Sequence, residues 1–222
     1  MLARVQLTLA AALLLVALAL GGVYLFGSDG KVTARSQGLS VGPMGFVGAV
    51  APGGIRPQLT LKDQDGRTVS LADYRGKVLV VTFMYATCQD TCPVTAQQIR
   101  LALDDLGDAA QQVPTLAISV DPPPTGGDSA LNAKRFLNKQ SLTGRMRFLL
   151  GTRAQLKPIW DAYGIQPQGD GKRPAGVDPR SFDHSAKVAI IDARGRLRIG
   201  IPVGELTPEG LAHDIRRLRA GA

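Results

Sequence analysis

The spacing of apolar and polar positions changes several times along the chain. Residues 5–26 form an apolar run broken only by Gln6 and Thr8. At about 1.5 Å per helical residue, such a run can cross a hydrocarbon core of about 30 Å. It predicts a single transmembrane helix over 5–26, preceded by a short cytoplasmic N-terminus at 1–4. A cleaved signal peptide with Ala17-Leu18-Ala19 as its small-residue site is the alternative, although signal cores are shorter. Residues 27–54 are rich in Gly and Pro and predict a tether. Order is expected from about Leu59, in a domain covering 55–222.

Within that domain, 59–61 and 68–71 flank Asp63-Gln64-Asp65-Gly66, a hairpin signal. The run 78–84 (VLVVTFM) is continuously apolar, as in a strand buried on both faces. Pro93 is expected to open a helix reaching Leu106, with Ile99, Leu103 and Leu106 on one stripe. Further strands are predicted at 115–120 (TLAISV) and 148–150, and helices at 129–138 and 154–163. A long polar loop covers 164–182. A second hairpin, 187–192 with 197–201, turns at Arg194-Gly195. Thr207 then caps a final helix. This order of hairpin, β-α-β-α, hairpin and helix implies a right-handed parallel crossover closed by antiparallel strands. The expected fold is α/β and thioredoxin-like, with an extra N-terminal β-hairpin.

Composition narrows the class. The chain is 45% hydrophobic with two cysteines in 222 residues, which excludes both a disordered chain and a disulfide scaffold. Lys and Arg number 26 against 18 Asp and Glu, a net charge of +8. Arg216, Arg217 and Arg219 cluster at the end of the final helix, where cations suit the helix dipole, and a solvated helix end is expected there. Few aromatics accompany the charges, and the domain is expected outside the cytoplasm, so nucleic acid is not an expected partner. The expected location is a bacterial inner membrane, crossed once, with the C-terminal domain in the periplasm.

The chemistry concentrates in Thr87-Cys88-Gln89-Asp90-Thr91-Cys92-Pro93, between a buried strand and a helix start. A helix N-terminus favours thiolate, and thiolates bind soft metals and attack disulfides. A structural disulfide across so short a loop adds only about 2 kcal/mol. His184 precedes the 187 strand. In a thioredoxin-like sheet, that loop lies beside the cysteine-bearing helix start. Two thiolates and one imidazole suit Cu(I), or Cu(II) with the imidazole added, whereas structural zinc takes a fourth protein ligand. Asp90 and Asp183 are candidates for orienting the loop or the imidazole from behind the ligands. His213, Met44, Met84, Met146, Trp160 and Tyr163 read as exposed or packing residues.

TFMYATCQDTCP, AISVDPPPT and FDHSAKVAIID, in that order and spacing, resemble the Sco/SenC copper-chaperone family over about 59–219. The resemblance implies a thioredoxin fold and one copper held by Cys88, Cys92 and His184. It also implies a role in assembling the dinuclear copper centre of cytochrome c oxidase. The oxidase subunit carrying that centre is then the expected partner, and the domain is expected to be monomeric. Two positions depart from the family pattern. Gln89 stands where proline is frequent, and Asp121-Pro122-Pro123-Pro124-Thr125 lacks the usual charged pair. The alternative is a thiol–disulfide oxidoreductase cycling Cys88 and Cys92 through a disulfide. Against it, the cysteines are three residues apart rather than two, and no cis-proline stands before the 187 strand. A peroxiredoxin reading of Cys88 would need Pro and Thr where Val81 and Tyr85 stand.

Overall fold

A computed structural model describes residues 39–51, 56–166 and 186–221. Eight strands form one sheet: β1 (Ala49–Val50), β2 (Thr60–Asp63), β3 (Thr68–Ser70), β4 (Leu79–Met84), β5 (Thr115–Ser119), β6 (Arg147–Leu150), β7 (Lys187–Ile191) and β8 (Leu197–Pro202). Among the described residues four α-helices join them: α1 (Thr91–Asp105), α2 (Ala130–Lys139), α3 (Arg153–Tyr163) and α4 (Pro208–Ala220). The sheet order is β1-β8-β7-β4-β5-β6-β2-β3. Strands β4, β5 and β6 are parallel, while β7 runs antiparallel to its neighbours β4 and β8. This is the thioredoxin-like arrangement, extended at one edge by the expected β2–β3 hairpin and at the other by β1.

Every residue of β4 is buried, because helices cover both faces. Val80 and Met84 pack with α1, α2 and α4 on one side. Leu79, Val81 and Phe83 pack on the other with Leu156, Ile159 and Trp160 of α3. Both hairpins use the same device. Asp63 accepts the backbone N–H of Asp65 and Arg67, and Asp192 accepts those of Arg194 and Arg196, all at 2.9–3.0 Å. Gly66 and Gly195 supply the positive φ that each turn requires.

Order begins well before Leu59. Within the segment expected as tether, β1 pairs with β8, and the Val47 and Gly48 N–H groups each donate to fully buried Asp214 at 2.8 Å. A Cβ at Gly48 would run into Ile199 and Ile201, so glycine there allows close docking. The Gly/Pro content suggested flexibility, but the anchor for this segment lies far along the chain on α4. The C-terminal arginines also differ from a solvated helix end. Arg216 reaches Asp105, Arg217 donates to the Met44 carbonyl and stacks on Phe46, and Arg219 reaches Gln112.

Among the described residues no helix is long and apolar enough to cross a membrane. The run 5–26 lies outside them.

Candidate metal centre

Strand β4 delivers the chain to the carboxyl edge of the parallel strands, where α/β sheets place ligands. The turn after Met84 folds back, with the Cys88 N–H donating to the Tyr85 carbonyl at 3.3 Å. Asp90 caps α1 by accepting the Thr91 N–H. Helix α1 therefore starts two residues before the expected Pro93. Proline is tolerated because the first turn's N–H groups have no intrahelical partner. Cys92 sits in that first turn, and both cysteines are buried free thiols, 7% and 2% exposed.

The two sulfurs divide the charge between them. Cys88 Sγ takes a hydrogen bond from the Cys92 thiol and, at 3.3 Å, one from the Cys92 N–H, with the Tyr85 hydroxyl adding a third. Together they outweigh burial and lower the Cys88 pKa to about 6. The same thiol–thiolate bond, followed by burial, pushes Cys92 far up. Asp90 Oδ1 lies 3.2 Å from Cys88 Sγ and opposes the thiolate, although this exposed carboxyl is held low, first by the Thr91 N–H. The metal-free reduced site is thus one thiolate beside one thiol. Alkylation of the reduced chain should follow from this. Cys88 is expected to react first, with a rate midpoint near pH 6 that levels off by about pH 8, where an ordinary thiol still climbs. Peptide mapping of a pH series checks it, and prior modification of Cys92 would contradict the assignment.

A residue missed in the sequence supports this loop. Asp128 is 2% exposed, accepts the Ala86 N–H at 2.6 Å through one oxygen, and accepts the Ser119 hydroxyl at 2.5 Å through the other. Burial pushes its pKa up to about 7. Ser119 in turn offers its carbonyl to the Trp160 indole N–H at 2.9 Å. A lone acid between Gly126-Gly127 and the Ser129 cap gives no sequence signal for this role. Tyr85 was also missed, although a polar-tipped aromatic directly after a buried strand was a usable hint.

The structure brings Cys88, Cys92 and Asp90 together. His184 and Asp183 lie outside the described residues. Among the described residues no cluster of three or more His, Cys, Asp or Glu is arranged to hold a metal. The two sulfurs are a soft donor pair that suits copper. Met84, Met146, Trp160 and Tyr163 are core residues as expected, and Met44 is exposed. His213, expected on the surface, is half-buried with Nε2 3.1 Å from the Gly45 carbonyl, because the 39–51 segment covers it.

The family profile for SCO1/SenC matches residues 50–220. The chain belongs to this family. Among solved structures, the SCO1/SenC chain is similar to copper-bound ScoI of Bradyrhizobium japonicum. The two are 28% identical with a TM-score of 0.61, over 74% of this chain and 99% of that one. A likeness of fold also links it to BsSco, described as a Sco-family cytochrome c oxidase assembly protein with a disulfide switch. There the identity is 20% and the TM-score 0.61, over 76% and 95% of the two chains. A putative peroxiredoxin of Mycobacterium tuberculosis is 33% identical over 143 residues, 64% of this chain and 83% of the relative. The peroxiredoxin PxxxTxxC pattern is nonetheless absent here. Val81 and Tyr85 hold its Pro and Thr positions before Cys88, and Tyr85 and Gln89 hold them before Cys92.

Proposed function

We propose that this SCO1/SenC chain is a membrane-anchored metallochaperone that carries one copper on Cys88, Cys92 and His184. It passes that copper to the dinuclear copper centre of cytochrome c oxidase. The observation that carries this reading is the buried pair of free sulfurs, with the Cys92 N–H 3.3 Å from Cys88 Sγ, at the carboxyl end of the parallel strands. Strand β7, which follows His184, starts at that same edge: Val188 pairs with Thr82, and the Thr82 hydroxyl donates to the Lys187 carbonyl at 3.4 Å. Transfer is ligand exchange, in which an acceptor thiolate replaces one chaperone ligand at a time. The run 5–26 anchors the chain in a bacterial inner membrane, with the domain on the periplasmic side.

An anaerobic Cu(I) titration of the reduced full chain against a competing chelator tests this. One tight equivalent is expected, weakened at least about tenfold in His184→Ala, the lower end of what even outer groups contribute to metal sites. Unchanged affinity in that variant removes the histidine from the site. No tight binding by the folded, reduced chain removes the chaperone reading.

The low pKa of Cys88 favours a second activity, reduction of the acceptor's disulfide. The Cys88 thiolate attacks one acceptor sulfur and releases the other as thiolate. Cys92 then attacks the mixed disulfide, leaving a Cys88–Cys92 disulfide and a dithiol acceptor, with two electrons transferred. A reduced chain that exchanges with no protein disulfide excludes it.

A further inference from the structure

The end of the sheet opposite the cysteines carries a second feature. An open cavity of about 730 Å³ lies between the β7–β8 turn, the end of α4 and Phe46, lined by Arg194, Arg196, Arg198, Arg216 and Arg217. Among the described residues, two carboxylates answer these five guanidinium groups. Asp192 meets Arg196 and Arg198 at 3.2 Å, and Asp105 meets Arg216 at 3.1 Å. Apolar side chains border the charge. Of the six exposed large hydrophobic residues among the described ones, Leu39, Val41 and Met44 lie on the segment leading to Phe46, and Met44 is 60% exposed. The Arg217 guanidinium donates to the Met44 carbonyl at 3.2 Å.

We propose that this arginine-lined face docks on an anionic phospholipid surface. The inference rests on reading 5–26 as a membrane anchor. Cations flanked by exposed apolar side chains are the composition of a surface that sits in a bilayer interface, where headgroup phosphates meet acyl chains. Connectivity favours lipid over an acidic protein. Phe46 is separated from the end of the apolar run by 27–45, so the face meets lipid at the high effective concentration that tethering gives. Orientation follows from the sheet. Ile191, at the basic end of β7, pairs with Leu79 at the start of β4, whereas the cysteines follow the end of β4. A six-residue strand separates the two ends, about 20 Å at about 3.3 Å per residue. Docking the basic face turns the thiols away from the bilayer, towards a partner's exposed domain.

The test is amide hydrogen exchange of the full chain in nanodiscs of phosphatidylglycerol or phosphatidylcholine. Exchange at 41–46 and 193–196 is expected to slow in phosphatidylglycerol alone, with α2 unchanged. The slowing should fall about fivefold for each arginine removed in Arg194→Gln and Arg216→Gln. Both positions are exposed, so the fold should survive, and Met44→Ser removes the apolar contribution without touching charge. Equal exchange in the two lipids overturns the proposal. Soluble glycerol phosphate giving the same protection in phosphatidylcholine discs reassigns the face to a free anion. Protection by polyglutamate but not by phosphatidylglycerol reassigns it to acidic protein. Either outcome also overturns the proposal. A chain that co-elutes with neither disc fails the anchor reading. In that case, sedimentation with phosphatidylglycerol vesicles, lost in the arginine variants, still upholds the face, and no sedimentation overturns both.

Discussion

Replacing Cys88 by serine is expected to weaken Cu(I) binding by at least about 100-fold, beyond the roughly 10–100-fold that groups behind a ligand contribute. The fold should remain. A serine oxygen is a hard donor that stays protonated at neutral pH, so both the soft ligand and its charge disappear. The packing loss is small because serine is close in shape and its hydroxyl can still accept the Cys92 N–H and donate to Asp90. Cys92→Ser is the harsher variant, since Cys92 is 2% exposed among apolar neighbours and its hydroxyl would be buried there. The pair of variants also separates the two activities. Under disulfide exchange, Cys88→Ser cannot start the reaction, whereas Cys92→Ser starts it and stalls as a mixed disulfide. Competitive Cu(I) titration and thermal melting of the same samples check the prediction. A Cys88→Ser chain that keeps tight binding would show that the low-pKa sulfur is not a ligand.

How far the sequence revealed this site depends on which residues act locally. The 78–84 run and Thr207 are local signals, and they led to β4 and to the cap of α4, whose Gly210 N–H donates to Thr207. Each hairpin was readable because one Asp and one Gly inside the turn set its geometry. The cysteine loop was readable as a strand-to-helix junction. Its supports were not, because Asp128 reaches Ala86 across 42 positions and Trp160 reaches Ser119 across 41. The same holds for β1, whose order depends on Asp214, 167 positions from Val47. Helix α1 starts two residues earlier than Pro93 because Asp90, a candidate for orienting the loop or the imidazole, caps it by accepting the Thr91 N–H. His184 came from its place before the 187 strand and from the family resemblance. The described residues supply the sheet edge where its strand begins, not the imidazole itself.

The largest loss of stability is expected at Trp160. Its side chain is 1% exposed, packs with the core of α3 and the sheet, and donates to the Ser119 carbonyl at 2.9 Å. Trp160→Ala removes the ring from a close-packed core and should cost about 3–5 kcal/mol, lowering Tm by roughly 10 °C for a chain of this size. The unpartnered Ser119 carbonyl adds about 1–3 kcal/mol where it stays dry. Trp160→Phe keeps most of the ring and loses the N–H donor, so its penalty should be well under half as large. The consequence should extend to the metal loop. Ser119 connects Trp160 to Asp128, and Asp128 holds the Ala86 N–H at the start of the cysteine turn. A folded Trp160→Phe chain is therefore expected to retain Cu(I) with a modest loss of affinity. Trp160→Ala below its own melting point should lose more. Trp160 is the chain's single tryptophan, so melting is followed by circular dichroism in the variants. A Trp160→Ala chain that melts like the parent would mean that α3 does not carry this face of the sheet. Intact copper affinity with a lowered Tm would instead detach the cysteine loop from the Trp160–Ser119–Asp128 connection.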